Sequence, residues 1–105
     1  MLPTGFLTNR CRIEPYLREG LGEPIFGEEE TRLCRYEPYP GVRSVTVNLA
    51  GTIENVPVLG TLFVNGPDIP VGSRVLVGAD PRPLRVLAVR VCFGFTQSHL
   101  EADVG

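Results

Sequence analysis

The sequence predicts a small all-β domain, and three observations carry that prediction. Ten prolines and twelve glycines are spread along the chain as punctuation between short Val, Ile, Leu and Thr runs, a density that helical domains do not tolerate. Several of those runs alternate apolar and polar residues with the period of two that marks a half-buried strand. Nowhere does the i, i+3, i+4, i+7 spacing of an amphipathic helix persist over a useful length. With 105 residues and an apolar fraction of 43%, there is room for one domain with one modest core. Six or seven short strands with one apolar face each bury themselves best by curling into a small β-barrel or two packed sheets, which also limits exposed edges.

Taken in order, residues 1–8 carry Leu2, Phe6 and Leu7 beside Pro3 and Gly5, too broken for a helix and too apolar for a free tail, so this segment is expected to dock. In residues 9–14 the polar Arg10, Arg12 and Glu14 alternate with Cys11 and Ile13, a strand that Pro15 ends. Residues 16–27 hold three glycines and a proline and read as a loop, with Ile25 and Phe26 as anchors toward the core. Glu28, Glu29 and Glu30 read as the solvated entrance to a strand over residues 31–37, with Cys34 and Tyr36 on one face and Leu33 and Arg35 on the other. Pro38 and Pro40 close it. Val45, Val47 and Leu49 then alternate with Ser44, Thr46 and Asn48, and the chain resumes through Ile53, Val56 and Val58. The pattern fits one long hairpin or extended loop over residues 43–57, an arm that Pro57 can interrupt.

Residues 59–65 form a further strand, ending at Gly66-Pro67. Residues 70–91 are the strongest hairpin signal, with β-rich runs at 74–77 and 84–91 flanking a Gly-Ala-Asp-Pro-Arg-Pro turn. A last strand over residues 98–104 sets His99, Glu101 and Asp103 on one side and Leu100, Ala102 and Val104 on the other.

Charge and cysteine content narrow the function. All ten positive residues are Arg, against twelve Asp and Glu, for a net charge of −2, which is not the basic stripe of a dedicated nucleic-acid binder. Cys11, Cys34 and Cys92 are far apart in sequence and read as reduced, buried small hydrophobes. No run approaches the ~20 apolar residues of a membrane helix. The first ten residues lack a charged leader and an apolar signal core, so synthesis in a cytoplasm-like compartment is expected.

A search for chemistry returns no catalytic, cofactor or metal site. His99 is the single histidine, and its neighbours Ser98 and Glu101 lie along one strand without a GxSxG elbow. One His, three scattered Cys and surface carboxylates lack the spacing of zinc ligands. Neither Gly20-Leu21-Gly22 nor Gly72-Ser73-Arg74 continues into a phosphate-binding loop. The aromatics Tyr16, Phe26, Tyr36, Tyr39, Phe63, Phe93 and Phe95 read as core and loop anchors, with a base-stacking platform as the alternative. What remains is the apolar, weakly charged arm, able to add to neighbouring copies.

The segments RCRIEPYL, GEPIFGEEETRLCRYEP, DIPVGSRVLV, LRVLAVRV and HLEADVG together resemble the small head-completion proteins of tailed bacteriophages, also called head-closure, stopper or minor capsid neck proteins. Members carry Gly-Asp where this chain has Gly72-Ser73, and an aromatic where it has Leu84. The resemblance implies a β-barrel that assembles as a homo-oligomeric ring of twelve copies in the virion neck, joining the portal or adaptor of a DNA-filled head to the tail-terminator and tail proteins. It implies no enzyme activity, no cofactor and no membrane association. Double-stranded DNA passes such a ring without sequence-specific binding, as a mildly acidic wall allows. The arm would point into the channel, helping to close it and retain the packaged DNA, or meet a neighbour, through Arg43, Val45, Val47, Leu49, Ile53, Glu54 and Val56. Phe6, Leu7, Ile25, Phe26, Asp80 and Arg82 would supply interface loops, and Arg side chains would act mainly in subunit contacts. A tail-terminator-like neck subunit and a stand-alone SH3- or oligonucleotide-binding-type barrel are the alternatives.

Overall fold

The computed structural model describes residues 2–3, 5–49, 52–93 and 98–105, with the backbone alone at Leu49, Thr52, Phe93 and Ser98. Six strands close a barrel in the order β1 (Asn9–Glu14), β4 (Glu30–Pro38), β7 (Gly60–Asn65), β10 (Ser98–Val104), β9 (Leu84–Phe93) and β8 (Arg74–Val77), which returns to β1. Two further hairpins stand outside it: β2 (Tyr16–Gly20) with β3 (Glu23–Phe26), and β5 (Ser44–Leu49) with β6 (Thr52–Pro57). All pairings are antiparallel. The chain is thus all-β, a six-stranded barrel with a hairpin arm, as the composition predicts.

Alternation fills the barrel. Cys11 and Ile13 of β1, Leu62 and Val64 of β7, and Leu100, Ala102 and Val104 of β10 point inward and are almost wholly buried. On β9 the alternation breaks. Its register against β10 shifts between Asp103 and Val104, so that Val104 faces Val86 while Asp103 faces Ala88. This bulge leaves Leu87 without a partner and lets both Val86 and Val89 pack on the core. Leu87 turns to a second cluster with Val47 and Val58 instead.

The hairpin over residues 70–91 exists, yet it is the thinnest seam of the barrel. β8 meets β9 at only Arg74↔Arg85 and Val75↔Leu84, because β9 spends most of its length on β10. The seam is completed through Gly72, whose N–H donates to the Val86 carbonyl at 2.8 Å, and by Val86 N–H donating to the Ser73 carbonyl at 2.9 Å. Pro70 to Ser73 form a tight turn with Gly72 at φ 96°, a backbone that glycine alone adopts freely. Buried Ser73 uses its hydroxyl twice: it donates to the Pro70 carbonyl at 2.6 Å and accepts the Tyr16 N–H at 3.0 Å.

The loop expected over residues 16–27 is a β-hairpin. Its two-residue turn, Leu21-Gly22, has φ values of 52° and 83°, the left-handed pair of a type I′ turn whose twist suits a hairpin. A leucine at the first position is the unusual choice, and it hid the turn from a reading based on Asn-Gly or Asp-Gly. The Gly27 N–H donates to the Pro15 carbonyl at 2.7 Å and closes the base. Ile25 and Phe26 are half-buried, as anchors should be.

Candidate functional site: the arm and its anchorage

The arm is built on six paired rungs from Ser44↔Pro57 to Leu49↔Thr52, or ~20 Å of strand. Pro57 sits at the last rung, where it ends the ladder without interrupting it. Residues opposite one another share a face, so Val45, Val56, Val47 and Glu54 face one way and Thr46, Asn55, Asn48 and Ile53 the other. The first face lies on the barrel wall: Val47 is buried with Leu87 and Val58, and Val45 and Val56 pack against that cluster. Glu54 reaches Arg85 of β9 at 3.6 Å. The second face is open, with Thr46 Oγ1 2.7 Å from Asn55 Oδ1 and Ile53 71% exposed.

The expectation of an uncovered arm therefore needs correction. Val47 is in a core and offers nothing to a channel or neighbour as the chain stands, and Val45, Val56 and Glu54 are committed to the barrel. Ile53 is the arm residue held outward. Leu49 ends the strand by its backbone, and its side chain lies outside the described residues. Alternation separated these two faces in the sequence, but the bulge that presents Leu87 to the arm left no sequence signal.

Arg43, at the arm's base, is placed by charge. Its Nη1 lies 3.2 Å from Oδ2 of Asp103, a fully buried carboxylate on the outer face of β10. The same carboxylate accepts a forked pair of bonds from Arg90, Nη1 to Oδ2 at 3.0 Å and Nη2 to Oδ1 at 3.1 Å. Those bonds hold the Arg90 guanidinium above its usual pKa. Two guanidiniums on one carboxylate fasten β5 to the β9–β10 hairpin, because a buried charge left unpaired is costly. Backbone bonds add to the joint: Val58 N–H donates to the Arg43 carbonyl and Leu59 N–H to the Val104 carbonyl, both at 2.8 Å. Gly105 packs so closely on the Pro57 carbonyl that a Cβ there would collide with it.

The other residues expected at interfaces are largely used within the chain. Phe6 makes a T-shaped contact with Phe63, with ring centroids 5.7 Å apart, and the Arg35 guanidinium lies over the Phe6 ring at 4.6 Å. Leu7 is buried, and the backbone of Leu2 is clasped by the Asn65 amide through bonds of 2.7 and 2.8 Å. The N-terminal segment thus docks on its own barrel, which corrects its assignment as an interface loop. Phe26 meets Tyr16 edge-on and carries Arg74 over its face at 4.5 Å. Asp80 and Arg82 pair with each other: Asp80 Oδ1 accepts from the Arg82 N–H at 2.9 Å, and Oδ2 from Nη2 at 3.0 Å. That pairing lowers the Asp80 pKa. Both residues border a cavity of about 330 Å³ with Tyr36, Pro38, Leu59, Val77 and Leu84, which no sequence pattern announced.

No protein-family model, curated protein or solved structure matches the chain.

The arginines also behave differently from expectation. Arg32, Arg35, Arg43, Arg74, Arg82, Arg85 and Arg90 all form ion pairs within the chain. Among the described residues Arg10, Arg12 and Arg18 form none, so they are the ones left for external acids. Four of the described aromatics pair at separate places, Phe6 with Phe63 and Tyr16 with Phe26, rather than in the single row a stacking platform requires, while Phe95 and the Phe93 side chain lie outside the described residues.

The sequence spacing shows no zinc-ligand set, yet three potential ligands meet on the wall of the β9–β10 pair. Cys92, directly across from His99 in the β9–β10 ladder, and Glu101 bring one ligand atom each within 4.8 Å of one another. As it stands the group is no thiolate nucleophile. The Cys92 thiol lies 3.0 Å from Glu101 Oε2 and donates to it, which raises the thiol pKa, whereas nucleophilic cysteines need it lowered. Ser98, the third member of the conceivable triad, has its side chain outside the described residues.

Proposed function

We propose that the chain is an assembly subunit of the phage neck, a head-completion protein that joins in a ring between the DNA-filled head and the tail. The observation that carries this reading is the hairpin arm, fastened at its base by Asp103 and presenting one open face with Ile53 outward. A second hairpin also ends in a bare apolar residue, Leu21. Large apolar side chains left bare on the two hairpins outside the barrel are available to a partner surface. The five sequence segments that resemble head-completion proteins supply the identity of the assembly, and the net charge of −2 suits a wall that DNA passes without adhering. In this reading the barrel holds the arm at a set angle, while Ile53, Val42 and Arg10, Arg12 and Arg18, which form no ion pair among the described residues, meet neighbours.

Ile53→Glu tests the arm. It changes an exposed side chain and should leave the isolated chain folded, with an unfolding midpoint within experimental error of the parent. In complementation of a phage deleted for this chain, the variant should be missing from purified particles. Normal incorporation of a folded Ile53→Glu chain, with normal titre, would remove the arm from the assembly surface.

A further inference from the structure

We propose that Cys92, His99 and Glu101 form a binding site for a single zinc-class divalent cation on the outer wall of the barrel. The three side chains come from adjacent strands, Cys92 and His99 as a directly opposed pair and Glu101 two residues along β10 on the same face. Opposed residues in an antiparallel ladder have Cβ atoms ~4.5–5.5 Å apart, which suits two ligands of one ion. Glu101 Oε2 is 3.0 Å from Cys92 Sγ and 3.3 Å from His99 Nε2. A tetrahedral zinc with ordinary Zn–S, Zn–N and Zn–O bonds separates its ligand atoms by about 3.3–3.6 Å. The His99–Glu101 spacing already matches, the Cys92–Glu101 spacing has to open by about half an ångström, and Cys92 Sγ and His99 Nε2, which lie within 4.8 Å of each other, have to settle at the same separation, adjustments of the size that side-chain torsions supply.

The chemistry of the set is equally suited. A thiolate, an imidazole and a carboxylate together favour zinc over magnesium or calcium, which prefer all-oxygen shells. With the thiol deprotonated, thiolate and carboxylate neutralise the dication. Arg90, opposite Glu101 in the ladder, spends its forked hydrogen bonds on Asp103 and acts on Glu101 only through its charge. His99 and Glu101 side chains are only 19% and 29% exposed, so the ligands are partly ordered before the ion arrives. Three protein ligands leave a fourth position for water or for a group from outside the chain. The ion would cross-link the ends of β9 and β10, the hairpin that also carries Asp103 and so the anchorage of the arm. None of this depends on the assembly reading, because the site lies within one chain.

The test uses cobalt(II) as a spectroscopic substitute for zinc, added to the reduced, chelator-treated full chain. One equivalent should bind, giving a near-ultraviolet thiolate charge-transfer band and the visible absorption of four-coordinate cobalt, both displaced by zinc. Cys92→Ser should abolish the charge-transfer band. His99→Gln and Glu101→Gln should each weaken binding at least tenfold, with an unchanged far-ultraviolet dichroism spectrum. His99→Gln keeps the thiol and carries the test if Cys92→Ser fails to fold. Absence of the band in the folded parent overturns the proposal. So does a band that survives in folded Cys92→Ser, since the metal would then sit on Cys11 and Cys34, or full affinity in folded His99→Gln.

Discussion

Removing the Asp103 carboxylate should loosen the arm before it unfolds the barrel, and the geometry sets the size of the effect. Asp103 is completely buried, while Arg43 and Arg90 leave 43% and 45% of their side chains in solvent. A charge-assisted hydrogen bond contributes about 1.5–3 kcal/mol when well buried. Here the guanidiniums can return to water on losing their partner, so each bond belongs at the low end of that range or below it. For Asp103→Ala, which loses the Arg90 fork and the Arg43 contact together, the cost is about 2–4 kcal/mol. That is a large part of the ~5–15 kcal/mol expected of a domain of this size. Arg43→Ala loses one contact and costs about 1 kcal/mol, but the loss is local. Amide exchange in β5 and β6 should accelerate roughly fivefold, as about 1 kcal/mol implies, while β1 and β4 keep their protection. Urea unfolding supplies the global figure, and exchange monitored by mass spectrometry supplies the local one. Equal acceleration in β1, β4 and the arm, or none in the arm, would refute the idea that Asp103 holds the arm to the barrel.

Three further outcomes follow from particular residues. Leu21 occupies the left-handed region at φ 52° and is fully exposed, so Leu21→Asn should stabilise the chain by about 0.5–1 kcal/mol in urea unfolding, with no loss of packing. Gly60→Ala should destabilise by about 1–3 kcal/mol, because a Cβ there would come within 2.5 Å of the Tyr36 ring; Tyr36→Ala in the same chain should recover part of that loss, and additive costs would contradict the contact. Burial holds the Tyr36 phenol above its ordinary pKa of 10.0. A group raised on folding contributes stability that is complete below its unfolded pKa and is lost as pH rises through the folded one, so Tyr36→Phe should flatten the fall in unfolding midpoint above pH 10.0, beside a pH-independent loss from the missing 3.2 Å hydrogen bond to the Leu59 carbonyl.

The parts legible in the sequence are those governed by neighbours in the chain. Strands β1, β4 and β10 follow from Cys11-Ile13, from Cys34 with its flanking prolines, and from Leu100-Ala102-Val104, all local alternations bounded by breakers. The β2–β3 hairpin was not legible because its turn places leucine in a backbone region that leucine rarely enters. Asp103 was legible as an outward residue of β10, yet its burial depends on Arg43 and Arg90, distant in sequence and brought together only by the barrel. The same holds for Cys92 and His99: alternation sets His99 and Glu101 on one face, but only the pairing of β9 with β10 adds the thiol. Leu87 carries the general lesson. A bulge shifts which residues face the core, and no count of every second residue can anticipate it.

The central claim, that this barrel and its arm complete a phage head, is tested most directly by electron microscopy of particles produced without the chain. The account predicts DNA-filled heads that lack tails or have leaked their DNA, with tails assembled separately and normal particles restored by the parent chain. Intact, tailed, infectious virions formed without it would contradict the account.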